Sequence, residues 1–161
     1  MRVRPKPFTP EPFSDVPYFV RDTTGGSVWH RCQTRPLYAD TDCSQVVYHA
    51  NYLRYFELGR ATLMRHAAYP YREVEADGFL YPIIKVDLDY YCPLHYDEPI
   101  FIYTRPGLLE RVKLQFDYVI THRFTGALIC KGFTRHCAVN QKGIPVEVDP
   151  KTVKLWRVFP R

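Results

Sequence analysis

Hydrophobic residues recur at helical spacing in one segment of the chain, residues 51–67. The segment contains no proline, and its apolar residues follow one another at intervals of three and four, namely at Tyr52, Phe56, Gly59, Leu63 and Ala67. Further apolar residues widen this surface beyond a single stripe, so the pattern predicts a long helix that is largely enclosed. Asn51 is expected to cap the start of this helix, and Pro70 follows its expected end.

After the predicted helix, apolar and polar residues alternate along the chain with a period of two. Apolar residues alternate with mostly polar ones from Ile84 to Cys92 and again from Val112 to Ile120, which predicts strands with one buried face. The remaining expected elements are strands over 27–38, 100–104 and 127–139, turns at 106–107 and 123–126, a short helix near 72–77 and a terminal element over 151–158. Strands that follow one helix are typical of an α+β domain. We therefore predict a single antiparallel sheet curled around helix 51–67.

Residues 1–27 differ in composition from the rest of the chain. Five prolines fall among the first 17 residues, and Gly25-Gly26 closes the segment. Proline lacks an amide donor and fixes φ, so this stretch can form neither a helix nor a central strand. We expect residues 1–27 to form either an extended arm, lying on the body or on a neighbouring subunit, or a mobile tail. Residues 28–161 are expected to form one domain.

Composition narrows the class of protein. A length of 161 residues fits one domain, and 46% hydrophobic with 24% charged residues is ordinary for a chain with a real core. No apolar run approaches the ~20 residues that span a bilayer, and no secretory signal is recognisable. Five cysteines without CxxC spacing are expected to be free thiols in a reducing cytoplasm. The basic residues (22, against 17 acidic) are not clustered, so we do not expect a nucleic-acid partner.

Polar side chains are densest just before the helix, at Asp40, Asp42, Tyr48, His49 and Asn51. Aspartates one residue apart in extended chain point to opposite sides, so one of them can face inward. A helix start offers amides without partners and a positive dipole. Such amides can hold an oxyanion while a nearby carboxylate attacks a carbonyl or activates water, which suits acyl transfer. From these residues alone, Asx turns and helix capping are the simpler explanation of the aspartates.

Other chemistries lack their sequence patterns. A metal site at Asp40, Asp42 and His49 would contain a single histidine, so we expect no metal. The sequence contains no Gly-x-Ser-x-Gly elbow, no Gly-x-Gly-x-x-Gly motif and no Walker loop. We therefore predict neither an α/β-hydrolase nor a common nucleotide cofactor.

The run from Tyr38 to Glu57, YADTDCSQVVYHANYLRYFE, resembles the signature of the hotdog-fold acyl-CoA thioesterases. The most similar type is the 4-hydroxybenzoyl-CoA and Tol–Pal-associated thioesterases, and the resemblance covers about residues 30–140. It implies a hotdog fold, in which an antiparallel sheet of about five strands wraps around one long central helix. It also implies dimers with joined sheets, often paired into homotetramers, with active sites at the subunit interface.

The same resemblance implies roles for individual residues. Asp42 would be the nucleophile or general base, and the His49 amide would hold the thioester carbonyl. Tyr48 and the His49 side chain would line the pocket, with Gln45 and Asn51 as further substrate-binding residues. Gln45 stands where the family usually has glycine, which permits a positive φ, so it suggests either a reshaped turn or an altered pocket.

The sequence thus predicts a cytoplasmic acyl-CoA thioesterase that requires no metal or organic cofactor. Two alternatives stay open. One is a hotdog protein that binds acyl-CoA or an acylated carrier without turnover, and the other is a hotdog dehydratase, for which Glu57 is the one acidic residue within 51–67. Basic residues at the rim are expected to hold the coenzyme A phosphates, the candidates being Arg105, Arg111, Lys113, Lys131 and Arg135.

Overall fold

The computed structural model describes residues 4–161; residues 1–3, the beginning of the predicted arm, lie outside the described part. Its elements in chain order are β1 (Pro10–Pro12), β2 (Phe19–Asp22), β3 (Val28–Thr34), α1 (Tyr52–His66), α2 (Tyr71–Ala76), β4 (Phe79–Leu80), β5 (Ile83–Tyr90), β6 (Ile100–Leu109), β7 (Lys113–His122), β8 (Leu128–Cys137), β9 (Val139–Asn140) and α3 (Pro150–Val158). Seven strands form one antiparallel sheet in the order β1-β2-β3-β6-β7-β8-β5, and β4 pairs with β9. The predicted α+β class, with an antiparallel sheet and a long helix, is confirmed.

The sheet has seven strands rather than about five, because the proline-rich segment supplies two of them. β1 and β2 pair with each other, and β2 pairs with β3, so both lie at one edge of the sheet. From the same segment, Phe8 packs against Trp29 and Tyr103, with ring centroids 5.6 and 4.6 Å away. Tyr103 alternates along β6 with residues that face α1, so Phe8 lies on the opposite face of the sheet.

Helix α1 lies close against the centre of the sheet. The predicted helix over 51–67 is confirmed as Tyr52–His66. Phe56 stacks on Tyr118 of β7 with ring centroids 4.1 Å apart. A Cβ on Gly59 would clash with the Thr104 hydroxyl oxygen of β6, so glycine here permits the close approach of helix and strand. The helix is therefore positioned by packing against the strands beneath it.

One local prediction is wrong. Pro106-Gly107, expected to form a turn, lies within β6, at an irregularity where the pairing with β7 shifts register. Asn51 occupies the N-cap position of α1 as predicted, but its backbone is already helical (φ −71°, ψ −15°) and its side chain makes no capping bond. A preceding 3₁₀ turn, His49–Asn51, starts the helical path instead.

Strand β5 forms the other edge of the sheet and pairs only with β8 within the described chain. The alternation along residues 84–92 predicts one buried face, but Ile83, Ile84, Val86 and Tyr90 are all exposed in the single chain. The prediction of burial is wrong for one chain, because no element among residues 4–161 covers this part of β5.

The remaining expectations concern the chain as a whole. The terminal element is helix α3, which is capped by Asp149, whose carboxylate accepts the Thr152 amide at 2.9 Å. All five cysteines are free. Among the described helices, none combines the length and apolarity needed to cross a membrane.

Candidate active site

Asp40 is the aspartate that faces inward. Its side chain lies in the loop between β3 and α1 and the residue is only 3% exposed. The carboxylate accepts hydrogen bonds from the Leu37 amide (2.8 Å), the Arg54 guanidinium (2.6 Å) and the Tyr55 hydroxyl (3.0 Å). Burial and the bond to Asp40 raise the pKa of Tyr55, so its hydroxyl stays protonated and donates. The carboxylate is therefore fully used in holding the loop against the first turn of α1.

The backbone of Asp40 fixes the same loop a second time. Its carbonyl accepts the Tyr48 amide at 2.9 Å and the Asn51 side-chain amide at 2.8 Å. Asn51, expected to bind substrate, thus uses its side chain within the loop. These bonds close residues 40–51 into a compact unit that carries the other predicted site residues.

Asp42 lies on the surface of that unit. Its side chain is exposed in the single chain, and its carboxylate accepts the Ser44 amide at 2.7 Å. The Asp42 carbonyl accepts the Gln45 amide at 2.9 Å, which closes a tight turn. Asp42 thus keeps one carboxylate oxygen free of hydrogen bonds within the described residues, and it lacks the burial that Asp40 has.

Gln45 occupies the left-handed backbone region, with φ of +62°. The turn therefore has the conformation that glycine would allow, and the glutamine has not reshaped it. A non-glycine residue in this region carries a steric penalty of about 1 kcal/mol or more. The glutamine side chain is exposed and lines a cleft beside Asp42.

Replacing Gln45 with glycine is expected to stabilise the fold by about 0.5–1 kcal/mol, because relief of strain exceeds the added entropy of the unfolded chain. The free energy of unfolding in urea measures the effect. Ser44→Gly, one residue earlier and not at positive φ, is the matched control and should destabilise. A Gln45→Gly variant that is less stable than the parent would contradict the assignment of strain to this residue.

His49 begins the 3₁₀ turn that leads into α1. Within the part of the chain that the structure describes, its amide donates no hydrogen bond, as is usual for the first residues of a helix. Its carbonyl accepts the hydroxyl of Tyr90 on β5 at 2.6 Å. The rings of Tyr48 and His49 lie 4.3 Å apart and both side chains are exposed. A carbonyl group could therefore bind at the free His49 amide.

Tyr90 is a residue of this site that the sequence did not identify. Its period-two position marked it only as a strand residue, and its contact with His49 joins positions 41 residues apart. No local pattern could have indicated the contact, because it depends on how β5 lies beside the helix start.

Two clefts open on either side of the loop. One, of 330 Å³, is lined by Asp42, Gln45, Tyr38 and Tyr96 among others. The other, of 240 Å³, is lined by residues that include His49 and Tyr90. In the single chain, Asp42 and the His49 side chain therefore face different clefts. Among residues 4–161, no group of three or more histidine, cysteine, aspartate or glutamate side chains is arranged to hold a metal ion.

Most of the basic candidates for the coenzyme A phosphates are engaged within the chain. Arg105 pairs with Asp117 at 3.1 Å, and Arg111 pairs with Glu147 at 2.8 Å. Arg135 donates to the Gln115 side chain at 2.8 Å, and Lys131 donates to the Lys6 carbonyl at 3.1 Å. These contacts single out none of them as a phosphate ligand.

Comparison with known proteins places the chain in a family. The model of the thioesterase-like superfamily matches residues 36–155. YneP of Bacillus subtilis (strain 168), named as a candidate acyl-CoA thioesterase, is 31% identical over 123 residues, which are 76% of this chain and 84% of YneP.

Two solved structures show the same fold. Slr0204, a 1,4-dihydroxy-2-naphthoyl-CoA thioesterase from Synechocystis, superposes with a TM-score of 0.75 at 14% identity, over 80% of this chain and 96% of that one. A 4-hydroxybenzoyl CoA thioesterase mutant complexed with 4-hydroxybenzoyl CoA gives a TM-score of 0.71 at 18% identity, over 79% and 97%. The hotdog architecture is thereby confirmed. With the family match spanning most of its length, the chain belongs to the thioesterase-like superfamily.

Proposed function

We propose that the protein hydrolyses acyl-CoA thioesters, with Asp42 as nucleophile or general base and the His49 amide polarising the thioester carbonyl. The observation that carries the proposal is the compact loop 40–51, which carries both an uncommitted carboxylate oxygen and a free amide at the start of α1. Because the two residues line separate clefts in the single chain, the proposal requires a thioester that reaches both groups at once. The family membership supports it, since YneP and the two solved relatives are named as acyl-CoA thioesterases of different kinds.

The chemistry follows from these two groups. The thioester oxygen accepts the His49 N–H, and the positive end of the α1 dipole stabilises the negative charge that develops on that oxygen. In one route, the Asp42 carboxylate attacks the carbonyl carbon, coenzyme A leaves as thiolate, and water hydrolyses the resulting anhydride. In the other, Asp42 removes a proton from water as the water attacks, and the thiolate leaves. Both routes yield the free acid and coenzyme A.

A homo-oligomer is the second part of the proposal. β5 is an eight-residue edge strand with exposed apolar side chains, and such edges readily pair with a further strand. We propose that two copies join their sheets through β5 and that dimers pair into tetramers. A partner at this edge would cover Tyr90 and the neighbouring cleft that contains His49.

Val86→Lys is expected to convert the oligomer to a monomer of about 19 kDa, because the added charge would be buried against the joining strand. Sedimentation analysis measures the mass. Thr125→Lys, in the exposed turn between β7 and β8, adds the same charge elsewhere and should leave the assembly intact. A parent protein that sediments as a monomer would refute the oligomer.

A panel of acyl-CoA substrates, with detection of released thiol, tests the activity. Thiol release supports hydrolysis, whereas tight binding without release would support a non-catalytic acyl-CoA or acyl-carrier binding protein. A dehydratase is disfavoured, because both ring nitrogens of His136, which shares a cavity with Glu57, are hydrogen-bonded within the chain.

Location and domain organisation complete the proposal. We propose a cytoplasmic location, since oxidising compartments favour disulfides and all five cysteines are free. We also propose that residues 28–161 form the catalytic domain, with residues 1–27 as an arm whose two strands extend the sheet.

A further inference from the structure

A partly enclosed cavity of 140 Å³ lies between α1 and the sheet, and it shares no lining residue with the loop 40–51. Glu57, Arg60 and Met64 of α1 form one wall, and Tyr81, Phe116 and His136 contribute to the other. A cavity of about this size has room for a group as large as benzene, so it can hold the end of an acyl group.

The polar groups on the sheet side of this cavity are already paired. His136 is 2% exposed, and its Nδ1 donates to the Tyr81 carbonyl at 2.8 Å, so its Nε2 is the acceptor. The Thr134 hydroxyl donates to that nitrogen at 2.8 Å and in turn accepts from the Tyr118 hydroxyl at 2.8 Å. Burial lowers the pKa of His136 to about 4, so the imidazole is neutral at pH 7. This side of the cavity therefore supplies no charge.

Arg60 is the cation of the cavity. It is half-buried, and within the described chain it forms no ion pair with a carboxylate. It lies near enough to Tyr118 and His136 to act on both: its charge offsets part of the rise that burial causes in the pKa of Tyr118, and it adds to the fall that burial causes in the pKa of His136. Glu57, one turn earlier, is exposed at the mouth and also lines the cavity, but beyond ion-pairing distance. A carboxylate is the complement that a guanidinium binds most strongly, through two parallel hydrogen bonds.

The helix connects this cavity with the site of the proposed chemistry. His49 precedes α1, and Arg60 lies about 17 Å further along the helical path at 1.5 Å per residue. Leu53, Glu57 and Ala61, spaced by four, share one face between the two positions. Leu53 and Glu57 are exposed, so an extended chain can lie along this face.

We infer that the cavity receives the far end of the acyl group and that Arg60 selects acyl chains ending in a carboxylate, the monothioesters of dicarboxylic acids, over chains ending in methyl. The inference rests on the proposed thioesterase function and extends it to a substrate class. Glu57 at the mouth acts against the same carboxylate and limits the preference.

Dodecanedioyl-CoA and dodecanoyl-CoA, of equal chain length and long enough to reach from His49 towards the Arg60 side chain, test this preference. The parent enzyme is expected to show kcat/KM about tenfold or more higher for dodecanedioyl-CoA, and Arg60→Met is expected to reverse the preference while dodecanoyl-CoA hydrolysis is retained. Arg60→Lys should keep part of the preference for the chain that ends in a carboxylate, and Glu57→Gln should increase that preference. Arg65→Met, which removes an exposed cation from the same helix, is the control and should change nothing. An unchanged ratio in Arg60→Met would overturn the inference.

Binding of the free acids separates this inference from the proposed function. Dodecanedioate and dodecanoate are titrated calorimetrically into the parent and into Arg60→Met. If no thioester is hydrolysed but dodecanedioate binding is lost in Arg60→Met, the selective cavity stands and the hydrolase proposal fails. If thioesters are hydrolysed but the parent binds dodecanedioate no better than dodecanoate, the hydrolase proposal stands and the selective cavity fails.

Discussion

Replacement of Asp42 by asparagine is expected to lower kcat for acyl-CoA hydrolysis by about 10²-fold or more, with little change in KM. The amide has the same shape but can neither attack the thioester nor take a proton from water. The one described hydrogen bond of the Asp42 side chain, from the Ser44 amide, is preserved because the asparagine oxygen can accept it. Saturation kinetics with thiol detection measure kcat and KM, and thermal unfolding verifies the fold.

Asp15→Asn, at another exposed aspartate, is the matched control and should turn over like the parent. The two proposed routes also differ in one observable. A nucleophilic Asp42 that is regenerated by attack of water on its own carbonyl carbon becomes labelled with ¹⁸O from solvent during turnover, whereas a general base does not. If Asp42→Asn retains the parental kcat, Asp42 has no part in the mechanism.

Replacement of Asp40 by alanine should lower the free energy of unfolding by about 3 kcal/mol and abolish most of the activity. The change leaves the buried Tyr55 hydroxyl and the Leu37 amide without their acceptor, and each buried unsatisfied donor costs about 1–3 kcal/mol. Activity falls because the loop that carries Asp42 and His49 loses its attachment to α1. Urea denaturation and kcat measure the two effects.

Single changes at the partners of Asp40 are expected to be milder. Tyr55→Phe removes one donor and should cost about 1 kcal/mol. Arg54→Ala should cost less than about 1 kcal/mol, since the Arg54 side chain is 60% exposed and water screens the pair. If Asp40→Ala were no more destabilising than Arg54→Ala, the buried carboxylate would not be what holds the loop.

Local patterns were sufficient for most of the fold. The helix Tyr52–His66 was predictable because the spacing of its apolar residues is set by its own 3.6-residue period. β1 and β2 were not, because they are only three and four residues long and lie at an edge, where proline is tolerated. Alternation along β5 showed which side chains share a face, but it could not show whether the same chain covers that face.

The residues of the candidate site could be identified from the sequence, but their burial and contacts could not. The motif marked both Asp40 and Asp42, yet which of them is buried depends on Arg54 and Tyr55, whose side chains reach it only once α1 is in place. Gln45 in place of the usual glycine left open whether the turn is reshaped. Its positive φ shows that the turn keeps the conformation that glycine would allow.

The hydrogen bond from Tyr90 to the His49 carbonyl ties a peripheral strand directly to the first peptide units of the helix. Displacement of that strand by an associating copy or another neighbour would be transmitted through one tyrosine ring to His49, whose amide is proposed to hold the thioester carbonyl. The fraction of assembled protein and the turnover rate would then change together, and no ligand-induced change elsewhere in the fold would be needed.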